Sequence, residues 1–116
     1  MVAKTRPPAP RCGDVIRLTF DPQVGHEQAG RRPALVLSST SYNQKIGLAV
    51  ICPITSQVKG YPFEVKVPPG LKVTGVILAD QVKSIDWEGR DAQYLCQLSQ
   101  SIVKDCIAKM GSLLGD

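Results

Sequence analysis

The sequence predicts a mainly β domain, a curled antiparallel sheet with one helix at its C-terminal end. Three observations carry that reading. Residues 14–20, DVIRLTF, alternate, with Ile16, Leu18 and Phe20 on one face and Val15, Arg17 and Thr19 on the other, the period of a half-buried strand. Residues 33–37 and 47–55 are near-continuous apolar runs rich in Val and Ile, bounded by turn residues and too short for buried helices. Near the C-terminus Ile102, Val103, Cys106, Ile107, Met110, Leu113 and Leu114 recur three and four residues apart, the stripe of a helix with one apolar face.

Taken in order, residues 1–12 carry prolines at 7, 8 and 10 and no periodicity, so they read as a flexible or loosely packed arm. The single domain is expected over residues 13–116. After the first strand, DPQVGHEQAGRR at 21–32 has Gly, Pro and polar groups without an apolar period and reads as a long exposed loop; loops of that length in compact domains usually serve function. The two apolar runs are expected as central strands. Residues 62–67 alternate again, PPG at 68–70 makes a turn, and a further strand is expected over 73–80. Ser99 is the expected helix N-cap and Gly115 its stop.

A chain of 116 residues supports one core but not two ordinary domains. Hydrophobic residues at 43% and charged residues at 21% exclude a disordered or collagen-like chain. No run approaches the roughly 20 apolar residues that span a bilayer, and residues 1–11 lack the apolar core of a signal peptide. A cytoplasmic protein with no membrane partner is expected. The net charge of +4 favours a polyanionic partner, because Lys and Arg that neutralise phosphates release condensed counterions. Cys12, Cys52, Cys96 and Cys106 form no C-x-x-C pair, and a lone histidine cannot complete a Cys/His zinc set, so no metal site is expected. Cys52 and Cys106 read as small buried hydrophobes.

Nucleotide-binding loops of the G-x-x-x-x-G-K-[ST] type, G-x-S-x-G elbows and H-E-x-x-H helices are all missing. With His26 alone, one chain cannot offer two histidines as acid and base. What remains is a polar loop holding His26, Glu27, Gln28, Arg31 and Arg32 just before a buried strand, and the pair Thr55 and Ser56 where the run LAVICPIT leaves the core. A strand beneath Arg32 would hold it rigidly, as a site requires. Both features also have plainer explanations, a solvated loop and the hydroxyls that commonly end strands. Tyr61, Phe63 and Trp87 suit base stacking or core packing equally, and Phe63 faces inward in the alternation. Lys59, Lys83 and Arg90 suit a phosphate groove or a solvated face.

Five stretches, in this order and spacing, resemble the MazF/PemK/Kid toxins: GDVIRLTFDP at 13–22, GHEQAGRRPALVLS at 25–38, CPIT at 52–55, KGYPFEV at 59–65 and GVILADQVKSIDW at 75–87. The most specific are EQAG-x-RP, filled by residues 27–33, and ADQVKSI at 79–85. The arm and residues 88–97 fit the pattern less well. The resemblance implies an SH3-like curled antiparallel β-barrel of the CcdB/PemK plasmid-toxin type with an added helix, a homodimer, and sequence-specific cleavage of single-stranded RNA as the toxin of a type II toxin-antitoxin system. It also implies that Arg32 and Thr55 are the catalytic pair, with Glu27 and Gln81 as further site positions and Arg31 at most a phosphate contact.

RNA supplies its own nucleophile, the 2′-hydroxyl, so an enzyme need only align it, take its proton, stabilise the phosphorane and protonate the leaving oxygen; neither metal nor cofactor is required. The Arg32 guanidinium and the Thr55 hydroxyl suit charge stabilisation, and Glu27 or His26 suits proton removal better than an arginine. The expected catalytic residues are therefore Arg32, Thr55 and Glu27, with His26, Gln28, Arg31, Ser56, Gln81 and Lys83 binding substrate. An antitoxin with an acidic disordered tail would compete for the same basic groove. The alternatives are a CcdB-like toxin that binds DNA gyrase and a non-catalytic RNA-binding module.

Overall fold

The computed structural model describes residues 8–20 and 30–115. Its elements run β1 (Asp14–Phe20), β2 (Gly30–Val36), α1 (Thr40–Ile46), β3 (Leu48–Thr55), β4 (Glu64–Lys66), β5 (Val76–Leu78), β6 (Lys83–Asp86), β7 (Gln93–Gln97) and α2 (Gln100–Leu114). All pairings are antiparallel, in the order β4-β5-β3-β2-β1-β7, with β6 also on β3. Strand β3 serves two partners along one edge: Leu48 to Ile51 pair with β6, and Ile54 and Thr55 pair with β5. The expected barrel does not close, since β4 and β7 stand as the two ends of the ladder.

Sheet alternation sorts the core into two clusters. Val15, Leu35, Cys52 and Ile54 pack with Val103 and Cys106 of α2 on one face, while Ile16, Leu18, Ala34, Val36, Ala49 and Ile51 pack with Ala9, Phe20 and Trp87 on the other. Burial on both faces explains why β2 and β3 read as unbroken apolar runs rather than alternating ones. Each fully buried Leu or Ile contributes about 1.5–3 kcal/mol relative to exposure.

Several expectations need correction. Residues 30–32 belong to β2, so the loop expected up to residue 32 ends earlier and both Arg31 and Arg32 stand on a strand. The arm expected over 1–12 is packed at its end: Ala9 and Pro10 are buried, and the Pro10 carbonyl accepts from Asn43 Nδ2 at 2.7 Å. The short helix α1 was not foreseen, because TSYNQKI has no apolar stripe; its signals are the caps, Ser39 Oγ accepting from the Tyr42 amide at 3.2 Å and Gly47 in the left-handed region at φ 80°.

Helix α2 lies where its stripe predicts. Val103 and Cys106 are buried and Ile102 and Met110 half-buried, yet Ile107, Leu113 and Leu114 are exposed, so the stripe runs beyond the sheet it covers. Ser99 has the extended backbone of an N-cap, but its hydroxyl meets Ser101 Oγ at 2.9 Å and bonds no helix amide. Gly115 ends the helix in an extended conformation, its amide donating to the Gly111 carbonyl. Trp87 proves to be core, its indole Nε1 donating to the Asn43 carbonyl at 3.1 Å. No helix among the described residues is long and apolar enough to cross a membrane.

Candidate active site

The register of β2 fixes where its arginines point. Arg32 lies opposite Leu18 on β1 and shares the face of Leu18, Ala34 and Val36. Arg31 lies opposite Thr19, on the other face. Its guanidinium donates to Thr19 Oγ1 at 3.0 Å, to the Arg17 carbonyl at 3.4 Å and to the Asp91 carbonyl at 2.9 Å, with the Asp91 carboxylate 3.8 Å away. This side chain braces β1 and the turn before β7. The guanidinium expected to contact substrate thus holds hydrogen bonds within the protein.

Between β2 and β3 the ladder pairs Val36 with Ile51, Leu35 with Cys52 and Ala34 with Pro53. Continuing the same register two residues past its last pair sets Arg32 across from Thr55, on one face. By strand alternation the two residues expected to act together fall on one face of adjacent strands, just past the last pair of Ala34 with Pro53, with Arg32 exposed and Thr55 buried.

The position of Thr55 is held from two sides. Its hydroxyl oxygen accepts the Gln57 amide at 3.1 Å, which leaves its own proton to donate outward. Gly75, at φ 111°, lies so close that a Cβ there would overlap the Thr55 carbonyl, and only glycine allows both the angle and the approach. Ser56 follows, exposed, at the start of the loop to β4.

Lys83 opens β6 opposite Ile51 and so shares the face of Arg32; its ammonium sits over the Phe20 ring, 5.4 Å from the centroid. Phe20, Arg32, Thr55 and Lys83 therefore come from four strands to one end of one face. Gln81 lies in the turn after β5, its amide donating to the Leu78 carbonyl at 3.1 Å, and its side-chain Oε1 is buried with no hydrogen-bond partner among the described residues. His26, Glu27 and Gln28 lie outside the described residues.

Other groups near this end were not singled out in the sequence. Glu64 accepts amides of the loop after Thr55. Asp80 has its carboxyl pKa raised by partial desolvation and by the Glu64 charge, against a lowering hydrogen bond from its own backbone. Both lie within matched family stretches, but only spatial pairing shows that they meet. Among the described residues no three His, Cys, Asp or Glu side chains gather as a metal-ligand set. A cavity of about 580 Å³ lies elsewhere, floored by Ile16, Trp87 and Ala92, and its charged lining of Arg11, Asp14, Glu88 and Asp91 is acidic on balance, unsuited to a polyanion.

Residues 11–114 match the model of the PemK-like, MazF-like toxins of type II toxin-antitoxin systems. The chain belongs to that family. Among MazF/PemK relatives, the endoribonuclease toxin MazF of Escherichia coli (strain K12) is 48% identical over 106 residues, covering 91% of this chain and 95% of that one. The endoribonuclease PemK of Escherichia coli is 29% identical over 106 residues, covering 88% and 80%. The crystal structure of MazF from Deinococcus radiodurans superposes with a TM-score of 0.88 at 50% identity, covering 93% of this chain and 98% of that one. A MazE-MazF structure from the same organism gives 0.84 at 50% identity, covering 92% and 96%. The mainly β class with a C-terminal helix and the PemK-type toxin fold are thereby established, with an open sheet in place of the closed barrel.

Proposed function

We propose that this MazF/PemK-type toxin cleaves single-stranded RNA at a recurring short sequence, without a metal, leaving 2′,3′-cyclic phosphate and 5′-hydroxyl ends. The class of activity follows the relatives, which carry the name endoribonuclease. The arrangement that carries the chemistry is the placement of Arg32 on β2 and Thr55 on β3 on one face of the sheet, just beyond the pair of Ala34 with Pro53.

Arg32 presents a planar fork of donors to the phosphoryl oxygens, and the Thr55 hydroxyl, which accepts the Gln57 amide, donates its proton to one of them. Together they stabilise charge that grows only as the 2′-oxygen attacks. Glu27 or His26 takes the 2′-hydroxyl proton, and Arg32 is assigned the return of a proton to the leaving 5′-oxygen. Gln28, Ser56, Gln81 and Lys83 hold the strand, the Gln81 Oε1, without a hydrogen-bond partner among the described residues, being suited to a base amino group.

The toxin acts as a homodimer in the cytoplasm, and a cognate antitoxin silences it by laying an acidic, disordered tail into the basic groove. Support for such a partner is the structural match to MazE-MazF complexes.

The test is mass spectrometry of products after a long unstructured RNA is incubated in EDTA with the protein or its Arg32→Ala variant. Cyclic-phosphate ends at one recurring sequence, absent with the variant, are expected. Intact RNA together with inhibited gyrase supercoiling would turn the reading to a gyrase-binding toxin.

A further inference from the structure

The chain leaves the core at Thr55 and re-enters the sheet at Glu64, and at its return end the Glu64 carboxylate fastens the segment between, with Lys109 Nζ donating to the Pro62 carbonyl at 3.0 Å. Glu64 Oε2 accepts the Lys59 amide at 3.2 Å and Oε1 accepts the Gly60 amide at 3.0 Å, so each oxygen takes a different backbone donor. Gly60 sits at φ 79°, and the Glu64 amide donates to the Tyr61 carbonyl at 3.1 Å, closing the return turn. At the other end the Thr55 hydroxyl accepts the Gln57 amide.

Between these fastenings, residues 56–60 are all exposed, Val58 at 58%, so packing does not hold them. Hydrogen bonds from side chain to backbone are what give this loop a shape. A carboxylate near a groove meant for phosphates would ordinarily repel the substrate, whereas one engaged on two amides has its charge partly absorbed. Lys59 is four residues from Thr55, within roughly 14 Å along the chain, close enough to meet a phosphate of the strand being cut.

We propose that Glu64 is a positioning residue of the ribonuclease site, holding residues 56–60 so that Lys59 meets a phosphate flanking the cleaved bond. The inference rests on the assignment of Arg32 and Thr55 to the reacting phosphate. Glu64 acts through Lys59 and touches no substrate atom.

Steady-state cleavage of a short fluorogenic RNA carrying the recognised sequence tests this, with the whole protein and its Lys59→Ala, Glu64→Ala, Glu64→Gln and Lys59→Ala/Glu64→Ala variants between 50 and 200 mM salt. Each alanine variant is expected to raise KM about 5- to 10-fold with kcat within about twofold, and to flatten the slope of log(1/KM) against log salt by about 0.7, the loss of one phosphate contact on a single strand. The double variant should be no worse than either single one, because both remove the same contact. Glu64→Gln, keeping one acceptor, should fall between, and it decides the matter if Glu64→Ala does not fold. Additive KM effects, or a Glu64 variant that melts earlier with unchanged KM and salt slope, would overturn the positioning role while leaving the ribonuclease intact. A wild-type protein that cuts no RNA would overturn the site assignment itself, and this inference with it.

Discussion

Arg31 donates to Thr19 Oγ1 at 3.0 Å on one face of β2, while Arg32, its neighbour in the chain, stands on the other face opposite Leu18. Adjacent arginines of a single motif are thus turned to opposite faces by the two-residue period of a strand.

That division is measurable. Arg31→Ala should lower stability by about 1–2 kcal/mol, from the loss of three hydrogen bonds at a partly exposed site, and leave RNA cleavage within a few-fold of wild type. Arg32→Ala should do the reverse, dropping kcat by about 100-fold or more, as for the loss of a donor to a developing oxyanion, with a smaller stability change. Urea titration and single-turnover cleavage on both variants check this. Equal losses of activity would show that both arginines reach the phosphate.

How much of this was legible beforehand follows from the range of each signal. Strands β1 to β3 and helix α2 show in local periodicity, and the motif stretches order Arg32, Thr55 and Gln81 along the chain. The face that Arg31 takes depends on where β2 begins, and GRR reads as loop until pairing with Thr19 and Leu18 makes it strand. Glu64 looks like an ordinary polar position in an alternating strand, and its two amide partners become visible only when the loop folds back. Helix α1 has mostly polar letters, its one aliphatic residue Ile46 being exposed, and its one buried side chain is Asn43.

Asn43 is fully buried yet well bonded: Nδ2 donates to the carbonyls of Pro10 and Ser38, Oδ1 accepts from Ser38 Oγ, and the Ser38 hydroxyl oxygen in turn accepts the Val50 amide. Asn43→Ala should cost about 1–3 kcal/mol for each buried group left without a partner, enough to shift the urea midpoint clearly. Asn43→Asp should be no milder, because a carboxylate cannot donate to the Pro10 carbonyl. A variant as stable as wild type would show that these bonds are replaceable.

The four cysteines should divide by burial. Cys52 on β3 and Cys106 on α2 lie in one core cluster, and desolvation first, with the Asp80 charge beside Cys52 and the Asp105 charge beside Cys106 adding to it and Lys109 offsetting it in part at Cys106, pushes their thiols to about 12 and about 11. At pH 8 their thiolate fractions are on the order of one in ten thousand and one in a thousand, and the thiolate is the reacting species. Ellman's reagent should therefore modify at most Cys12 and Cys96 in the native protein, both half-buried, and all four in guanidinium. Rapid native modification of four thiols would mean that the α2 contact opens readily.

Asp80 gives a pH dependence opposite in sign to that of a salt-bridged carboxylate. Partial desolvation first, then the Glu64 charge, raises its pKa above 3.8, so the folded state holds the proton more tightly than the unfolded chain. Between 3.8 and the folded value the native state binds more protons, and stability falls as pH rises through that window and stays lower above it. Asp80→Asn should accordingly match the wild type below pH 3.8 and become the more stable of the two as pH approaches 7. The residue is exposed, so the gain is small and best read as a difference between paired urea titrations across pH 3 to 7. A variant less stable than wild type at pH 7 would show that the bond its own backbone donates to the Asp80 carboxylate outweighs the repulsion from Glu64.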